Sequence, residues 1–332
     1  MMERNLSVVL ARRPVGEPRE DDFRFVEGEV PEPREGEVLL RTRWLSLDPY
    51  MRGRMSAARS YAPPLEIGEV IVGATVSEVV RSRNDAFPEG TLVLANAGWQ
   101  RYAISDGRDL RALDPTLGPP TYALGILGMP GQTAYCALFD IGRPRPGETV
   151  VVSAATGAVG SVAGQLAKIA GCRVVGVAGG PEKCRYAVDE LGYDACIDRR
   201  AEDLDAALAR HCPDGIDVYF DNTAGAILEA VLRRLNVGAR MLLVGLIEHY
   251  NATEPPKGPY LGPLLVARAR IEGFLVRDHL AHTPAFLRHV GGLVKAGRLR
   301  YREHVVDGLE NAPRAFIGLL RGENFGKVLV RV

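Results

Sequence analysis

The stretch at 148–180, ETVVVSAATGAVGSVAGQLAKIAGCRVVGVAGG, constrains the fold of this chain more than any other. Thr149, Val150, Val151 and Val152 form an uncharged, β-branched run of the kind found in strands buried on both faces. A turn of small residues follows: Ala154, Ala155, Thr156, Gly157, Ala158, Val159 and Gly160. Val162, Leu166, Ile169 and Ala170 then recur at helical spacing until Gly171, and 172–177 supplies a second apolar strand. The order is strand, glycine-bearing turn, helix, strand.

Glycines at such a turn let a diphosphate approach backbone N–H groups at a helix N-terminus, because no Cβ intervenes. The spacing Ala154-x-x-Gly157-x-x-Gly160 is a variant of the dinucleotide fingerprint with alanine in its first position. Gly160 also lets the helix pack closely on its strand. The other reading is a structural turn in an unrelated α/β protein.

An NAD site places an acid near the end of the second strand to accept from the ribose hydroxyls. Here that end reads Val177, Ala178, Gly179, Gly180, with no acid before Glu182. Lys183, Arg185, Arg199 and Arg200 follow. Cations without a carboxylate suit a ribose 2′-phosphate, so NADPH/NADP+ is the expected cofactor. Arg185 and Arg200 are the cations best explained as solvated helix ends.

A chain of 332 residues exceeds one comfortable core, so two domains are expected. Its 41 basic and 41 acidic residues balance, which gives no global field toward nucleic acid or an anionic membrane. Apolar runs are broken well short of a membrane span. Residues 1–10 carry early charges and no secretory apolar core, so a cytoplasmic location is expected. Cys136, Cys172, Cys184, Cys196 and Cys212 stand singly, without a C-x-x-C pair, against a zinc knot or disulfide framework. None precedes residue 135, so the N-terminal region lacks the thiolate of a catalytic alcohol-dehydrogenase zinc. His279 and His282 can share a helix face but read as surface or capping residues. No metal is expected.

Before residue 125 the text is a series of short β segments, at 6–10, 23–29, 37–45, 65–80, 91–95 and 99–104, broken by Gly and Pro. Within LDPYMRGRM at 47–55, Tyr50 reads equally as core or as substrate wall. Arg52 and Arg54 can line a cleft, bind surface acids or help hold cofactor phosphate, and Tyr61 belongs to the same rim. Residues 121–141 look helical at first and contain a Gly/Pro turn at 128–131. Thr133 can meet a nicotinamide amide or ribose, or merely cap a helix. After Gly180, helices at 182–191, 203–211 and 226–235 alternate with strands at 195–198, 216–220 and 240–244, which builds a parallel sheet with ligands beyond its strand C-termini. Asn222 and Gly245 lie at two such ends. The segment 246–263 reads as a polar substrate loop; a strand at 271–276 and a helix at 284–296 follow. The tail from 301, ending in a strand at 326–332, is expected to rejoin the N-terminal β domain.

Several of these segments resemble the zinc-independent branch of the medium-chain dehydrogenase/reductase superfamily, among its prostaglandin, alkenal double-bond and curcumin reductases. The resemblance rests on LDPYMRGRM at 47–55, GMPGQTAY at 128–135, VVSAATGAVGSVAGQLAKIAGCRVVG at 151–176, EKCRYAVDELGYDACID at 182–198, GIDVYFDNTAG at 215–225, HYN at 249–251 and GKVLV at 326–330. It implies an α/β chain: a Rossmann-type doubly wound parallel sheet at 126–298 and a GroES-like, mostly β domain at 1–125, to which 299–332 returns. It also implies a homodimer and NADPH-dependent reduction of the carbon–carbon double bond of α,β-unsaturated ketones or aldehydes. Lys183 is implied at the 2′-phosphate, with Arg199 where the family has a tyrosine. Asn222 is implied near nicotinamide and Tyr250 near the enone carbonyl. Met129, Gly179 and Asn324 complete the candidate cofactor contacts. Tyr250 is the expected enolate-stabilising donor, with Tyr50, Arg52 and Tyr61 on the substrate side. Alternative readings are an NADPH-dependent quinone oxidoreductase and a noncatalytic NADPH-binding or structural protein.

Overall fold

A computed structural model describes residues 4–332; the first three of the residues 1–10 read as carrying early charges and no secretory core lie outside the described residues. The chain divides into two compact units, one comprising Met1–Leu124 with Glu303–Val332 and the other Gly125–Arg302.

In the first unit, β1 (Arg4–Leu10) and β2 (Phe23–Glu29) form an antiparallel pair. A larger sheet contains β3 (Val38–Ser46), β4 (Thr75–Ser82), β5 (Leu92–Ala95), β6 (Tyr102–Ser105) and β7 (Arg111–Ala112). Only part of 65–80 is a strand. Residues 65–74 instead cross beside β1, where Leu10 N donates to Glu69 O at 2.9 Å and Ile71 N to Val8 O at 3.0 Å. The segment at 47–55 supplies a short helix, α1 (Tyr50–Arg54).

The second unit opens with α2 (Met129–Cys136), continued by a wider π-type turn over Ala137–Gly142 that stops at Arg143, in a left-handed conformation. Its strands are β8 (Thr149–Ser153), β9 (Arg173–Ala178), β10 (Ala195–Asp198), β11 (Ile216–Asp221), β12 (Leu235–Leu243) and β13 (Arg270–Gly273). The helices are α3 (Gly160–Ile169), α4 (Pro181–Asp189), α5 (Leu204–His211), α6 (Gly225–Leu232), α7 (Gly262–Ala267) and α8 (Thr283–Lys295). All six strands are parallel, in the order β10-β9-β8-β11-β12-β13. The order reverses between β8 and β11, the place where doubly wound sheets bind ligands beyond their strand C-termini. Every residue of β8 is buried, as its uncharged run requires.

The expected loop at 246–263 is partly helical: a 3₁₀ turn covers Ile247–His249, and α7 begins at Gly262. The last strand of the sheet ends at Gly273, short of the expected 276. In the first unit again, β14 (Glu303–Asp307), α9 (Ala312–Leu320) and β15 (Lys327–Arg331) complete the chain, with β15 antiparallel to β3. The buried Lys327 ammonium there donates to Asp48 Oδ1 at 2.6 Å and to Leu47 O at 2.8 Å. Among the described residues no helix is long and apolar enough to cross a membrane.

Candidate functional site

The turn between β8 and α3 owes its shape to two residues. Ala154, which stands where the fingerprint has its first glycine, adopts a positive φ of 48°. Gly160 has no space for a side chain, since a Cβ there would lie 2.3 Å from Ala154 O. Gly157 N closes the turn on Ala154 O at 2.9 Å, and Ser161 N donates to Gly157 O at 3.0 Å. Thr156 is buried, Ala158 is half-buried and Val159 sits at the N-cap of α3.

A residue missed by sequence reasoning holds this turn from beneath. The Tyr193 hydroxyl, fully enclosed, donates to Gly160 O at 2.8 Å and lies 3.3 Å from Ala155 O. Its signal was only an aromatic residue between α4 and β10.

At the tip of β9, Lys183 is half-buried. Its pKa is lowered first by burial, then by Arg200 and Arg199, against a small opposing effect of Glu182. Three cations therefore crowd the Gly179–Gly180 corner. The nearest acid at a strand end, Asp198, is occupied by backbone amides, accepting from Gly180 N at 2.8 Å and Arg200 N at 3.0 Å. Arg199 has a weak counter-charge, with Glu248 Oε1 3.9 Å from its Nη1. A doubly charged anion fits this corner better than a neutral ribose, which lacks the charge to relieve it.

At the β11 end, Asn222 is anchored twice to β8: its backbone N donates to Ser153 Oγ at 2.8 Å and its Nδ2 to Ser153 O at 2.7 Å. Asp221 beside it is buried and receives bonds on Oδ1 from Tyr219 Oη at 2.9 Å, Thr223 N at 2.9 Å and Ala224 N at 2.8 Å. Burial nonetheless leaves its carboxyl above the usual carboxylate range. Gly245 follows β12, and a Cβ on it would stand 2.9 Å from Asn222 O. The neighbouring backbone alone therefore demands glycine there.

Tyr250 follows the Ile247–His249 turn and is half-buried. Burial raises its phenol pKa, against a smaller lowering by the Leu246 backbone. Its hydroxyl is thus a neutral donor across physiological pH. On α2, Met129 and Thr133 are one turn apart, with Thr133 Oγ1 3.7 Å from Met129 Sδ.

In the first unit, Tyr50 packs against the core, and burial raises its phenol pKa, assisted by Asp48 and Tyr61. Tyr61 is exposed. Arg52 departs from the expected cleft-lining cation: it is buried, and its Nη2 donates to Gly16 O at 2.8 Å and Pro14 O at 3.3 Å. Arg54 likewise holds Pro63 O at 2.6 Å. Both guanidiniums satisfy loop carbonyls. Asn324 Nδ2 donates to Gly326 O at 2.8 Å.

Residues 7–113 match a family described as the N-terminal domain of oxidoreductase, and residues 158–290 one described as zinc-binding dehydrogenase. The NADPH-dependent curcumin reductase of Escherichia coli (strain K12) is 53% identical over 336 residues, covering 99% of this chain and 97% of that protein. The NADP(+)-dependent 2-alkenal reductase of Nicotiana tabacum is 40% identical over 335 residues, covering 99% and 97%. The crystal structure of CurA from Vibrio vulnificus in complex with NADPH is 50% identical, superimposes with a TM-score of 0.95, and covers 98% of this chain and 99% of that one. With a sheet of Rossmann order and a GroES-like β unit, this chain belongs to the zinc-independent medium-chain dehydrogenase/reductase superfamily, in the curcumin and prostaglandin reductase family.

Proposed function

We propose that the chain is an NADPH-dependent reductase of the carbon–carbon double bond of α,β-unsaturated ketones and aldehydes, acting without a metal. The observation that carries the cofactor half is the cation-crowded corner of Gly179, Gly180, Lys183, Arg199 and Arg200, which an anion would relieve. The E. coli and tobacco relatives, whose names state NADP(H)-dependent curcumin and 2-alkenal reduction, support the substrate half.

Lys183 and Arg199 would bind the 2′-phosphate. The turn of Ala154, Thr156, Gly157, Ala158, Val159 and Gly160 would offer its amides to the diphosphate. Met129, Thr133, Asn222, Gly245 and Asn324 are the remaining proposed cofactor contacts. When bound, NADPH supplies the hydride that adds to the β carbon of the enone. Charge then develops on the substrate carbonyl oxygen, and the neutral Tyr250 hydroxyl is the donor proposed to meet it. Solvent returns a proton to the α carbon. Tyr50 and Tyr61 are the proposed substrate-side residues; Arg52 contributes by holding the loop at Pro14 and Gly16.

The proposed assembly is a cytoplasmic homodimer. Strand β13 is exposed along its length, and Tyr260, Leu261, Leu265 and Val266 beside it are exposed apolar residues, a patch suited to a second copy. Sedimentation of the purified protein as a monomer would remove that part of the reading.

The decisive experiment follows NADPH absorbance across a panel of enones, alkenals and quinones and weighs the products. Addition of two hydrogens with the carbonyl retained is expected. Alcohol products, activity confined to quinones, or cofactor binding without oxidation would overturn the assignment.

A further inference from the structure

Two local pairs of potential ligands, far apart in sequence, meet in the second unit. Cys136 ends α2 and Asp140 lies four residues on, within the π-type turn, so both leave the same side of the backbone. His279 and His282 are three residues apart in the 3₁₀ segment before α8. Both rings turn Nδ1 to the same oxygen, each 2.9 Å from Asp140 Oδ2. Cys136 Sγ closes the group, and the four ligand atoms all lie within 4.8 Å of one another.

The surroundings hold this arrangement in place. The His279 ring stacks on Phe274 with centroids 4.7 Å apart. Gln132 Nε2, on α2, donates to His279 O at 3.1 Å, and Thr283 Oγ1 lies 3.2 Å from Gln132 Oε1. Helix α2 and the histidine segment are therefore fixed against each other by bonds that use none of the four ligand atoms. Cys136 is fully buried, Asp140 and His279 are half-buried and His282 is exposed, which leaves an approach from the His282 side.

We propose that Cys136, Asp140, His279 and His282 form a binding site for a divalent cation of the zinc class. One thiolate, two imidazoles and one carboxylate make a four-donor set that suits tetrahedral Zn²⁺ and disfavours Mg²⁺ or Ca²⁺, which take oxygen donors. On binding, the thiol passes its proton to solvent as the sulfur–metal bond forms. Thiolate and carboxylate then cancel the two charges of the ion, so a partly buried site carries no net charge. With all four positions filled by protein, the ion has no open coordination place. Its role is to staple α2 to the 276–282 segment, outside the reduction chemistry.

The test uses the full-length protein, stripped with a chelator and titrated with Co²⁺, then with Zn²⁺. Expected are the visible bands of tetrahedral cobalt and a near-ultraviolet thiolate-to-cobalt charge-transfer band, both removed by zinc. The charge-transfer band should vanish in Cys136→Ala and persist in the Cys184→Ala/Cys196→Ala double variant, whose thiols are the other close pair. His282→Ala alters an exposed side chain and does not threaten the fold. It should weaken zinc binding by at least the roughly tenfold that loss of an outer-shell partner produces. Zinc should raise the thermal midpoint of the wild type and not that of His282→Ala. Absence of the charge-transfer band in the wild type, its survival in Cys136→Ala, or zinc affinity unchanged in His282→Ala would each overturn the proposal.

Discussion

Replacing Lys183 by alanine tests the cofactor corner directly. Its ammonium sits half-buried with Arg199 and Arg200 close enough to lower its pKa, in a chain whose 41 basic and 41 acidic residues otherwise balance. A hydrogen bond to a charged group contributes about 1.5–3 kcal/mol, or roughly 10–150-fold in Kd. The two arginines remain, and each is relieved of its repulsion with the lysine. The lower end, about tenfold weaker NADPH binding, is therefore expected. Arg199→Ala should cost less, about 1 kcal/mol or near fivefold, because that side chain is partly exposed and Glu248 already draws on it. Fluorescence titration with NADPH and NADH at two salt concentrations measures both effects. NADH affinity should hold, and the NADPH loss should shrink at high salt. Equal weakening of both cofactors would mean that Lys183 merely supports the fold, and an unchanged NADPH affinity would refute the corner as a phosphate site.

The same shift has a sign in pH. An ammonium with a lowered pKa carries its charge below that value and loses it as pH rises through it, before the ordinary lysine value of 10.5. NADPH affinity of the wild type should therefore fall on the alkaline side sooner than that of Lys183→Arg, whose guanidinium stays charged.

Tyr250→Phe removes the proposed donor to the developing enolate. Loss of one such donor lowers kcat by about 10²–10³-fold, and steady-state enone kinetics read it; unchanged kcat would end the role of that hydroxyl. Because burial holds the phenol above its ordinary value, the wild-type kcat profile should show no limb from Tyr250 near neutrality. Tyr193→Phe leaves Gly160 O buried without its 2.8 Å donor, at about 1–3 kcal/mol. Denaturant unfolding should shift accordingly, NADPH should bind more weakly, and a stability equal to wild type would refute the contact. Lys327→Met strands the buried Asp48 carboxylate and should cost about 3–5 kcal/mol in chemical denaturation, with much of the loss recovered when Asp48→Asn is added.

The stretch at 148–180 was legible because its information is local: an uncharged run, a small-residue turn and a helical period occupy consecutive positions. The place of Lys183, just past the end of a strand that lacks an acid, was legible for a similar reason. Residues 65–74 misled because β propensity does not reveal that their hydrogen bonds go to β1 and the Trp99 region rather than to a neighbouring ladder. Arg52 misled because its acceptors, Pro14 and Gly16, lie nearly 40 positions away and only the fold brings them to it. Tyr193, and the pairing of Cys136 and Asp140 with His279 and His282, were invisible on the same ground. Each member looks ordinary until a distant segment arrives.

The ends of three sheet strands share a design in which a buried polar side chain holds the adjoining turn. Ser153 at the end of β8, Asp198 at the end of β10 and Asp221 at the end of β11 are all buried, and each binds backbone or side-chain donors of the adjoining turns. Asp221 has the hardest task. Ala224 stands at φ 62° and ψ −148°, a conformation that side chains rarely adopt, and the carboxylate accepts its amide at 2.8 Å. That turn directs the chain into α6, while Ser153 fixes both the backbone and the amide of Asn222. Without a catalytic metal to orient cofactor and substrate, orientation has to come from hydrogen bonds set before either arrives. The buried acids therefore serve the reaction best by never leaving the turns they hold, and the groups proposed to meet ligand, Lys183, Asn222 and Tyr250, stand at positions those turns determine.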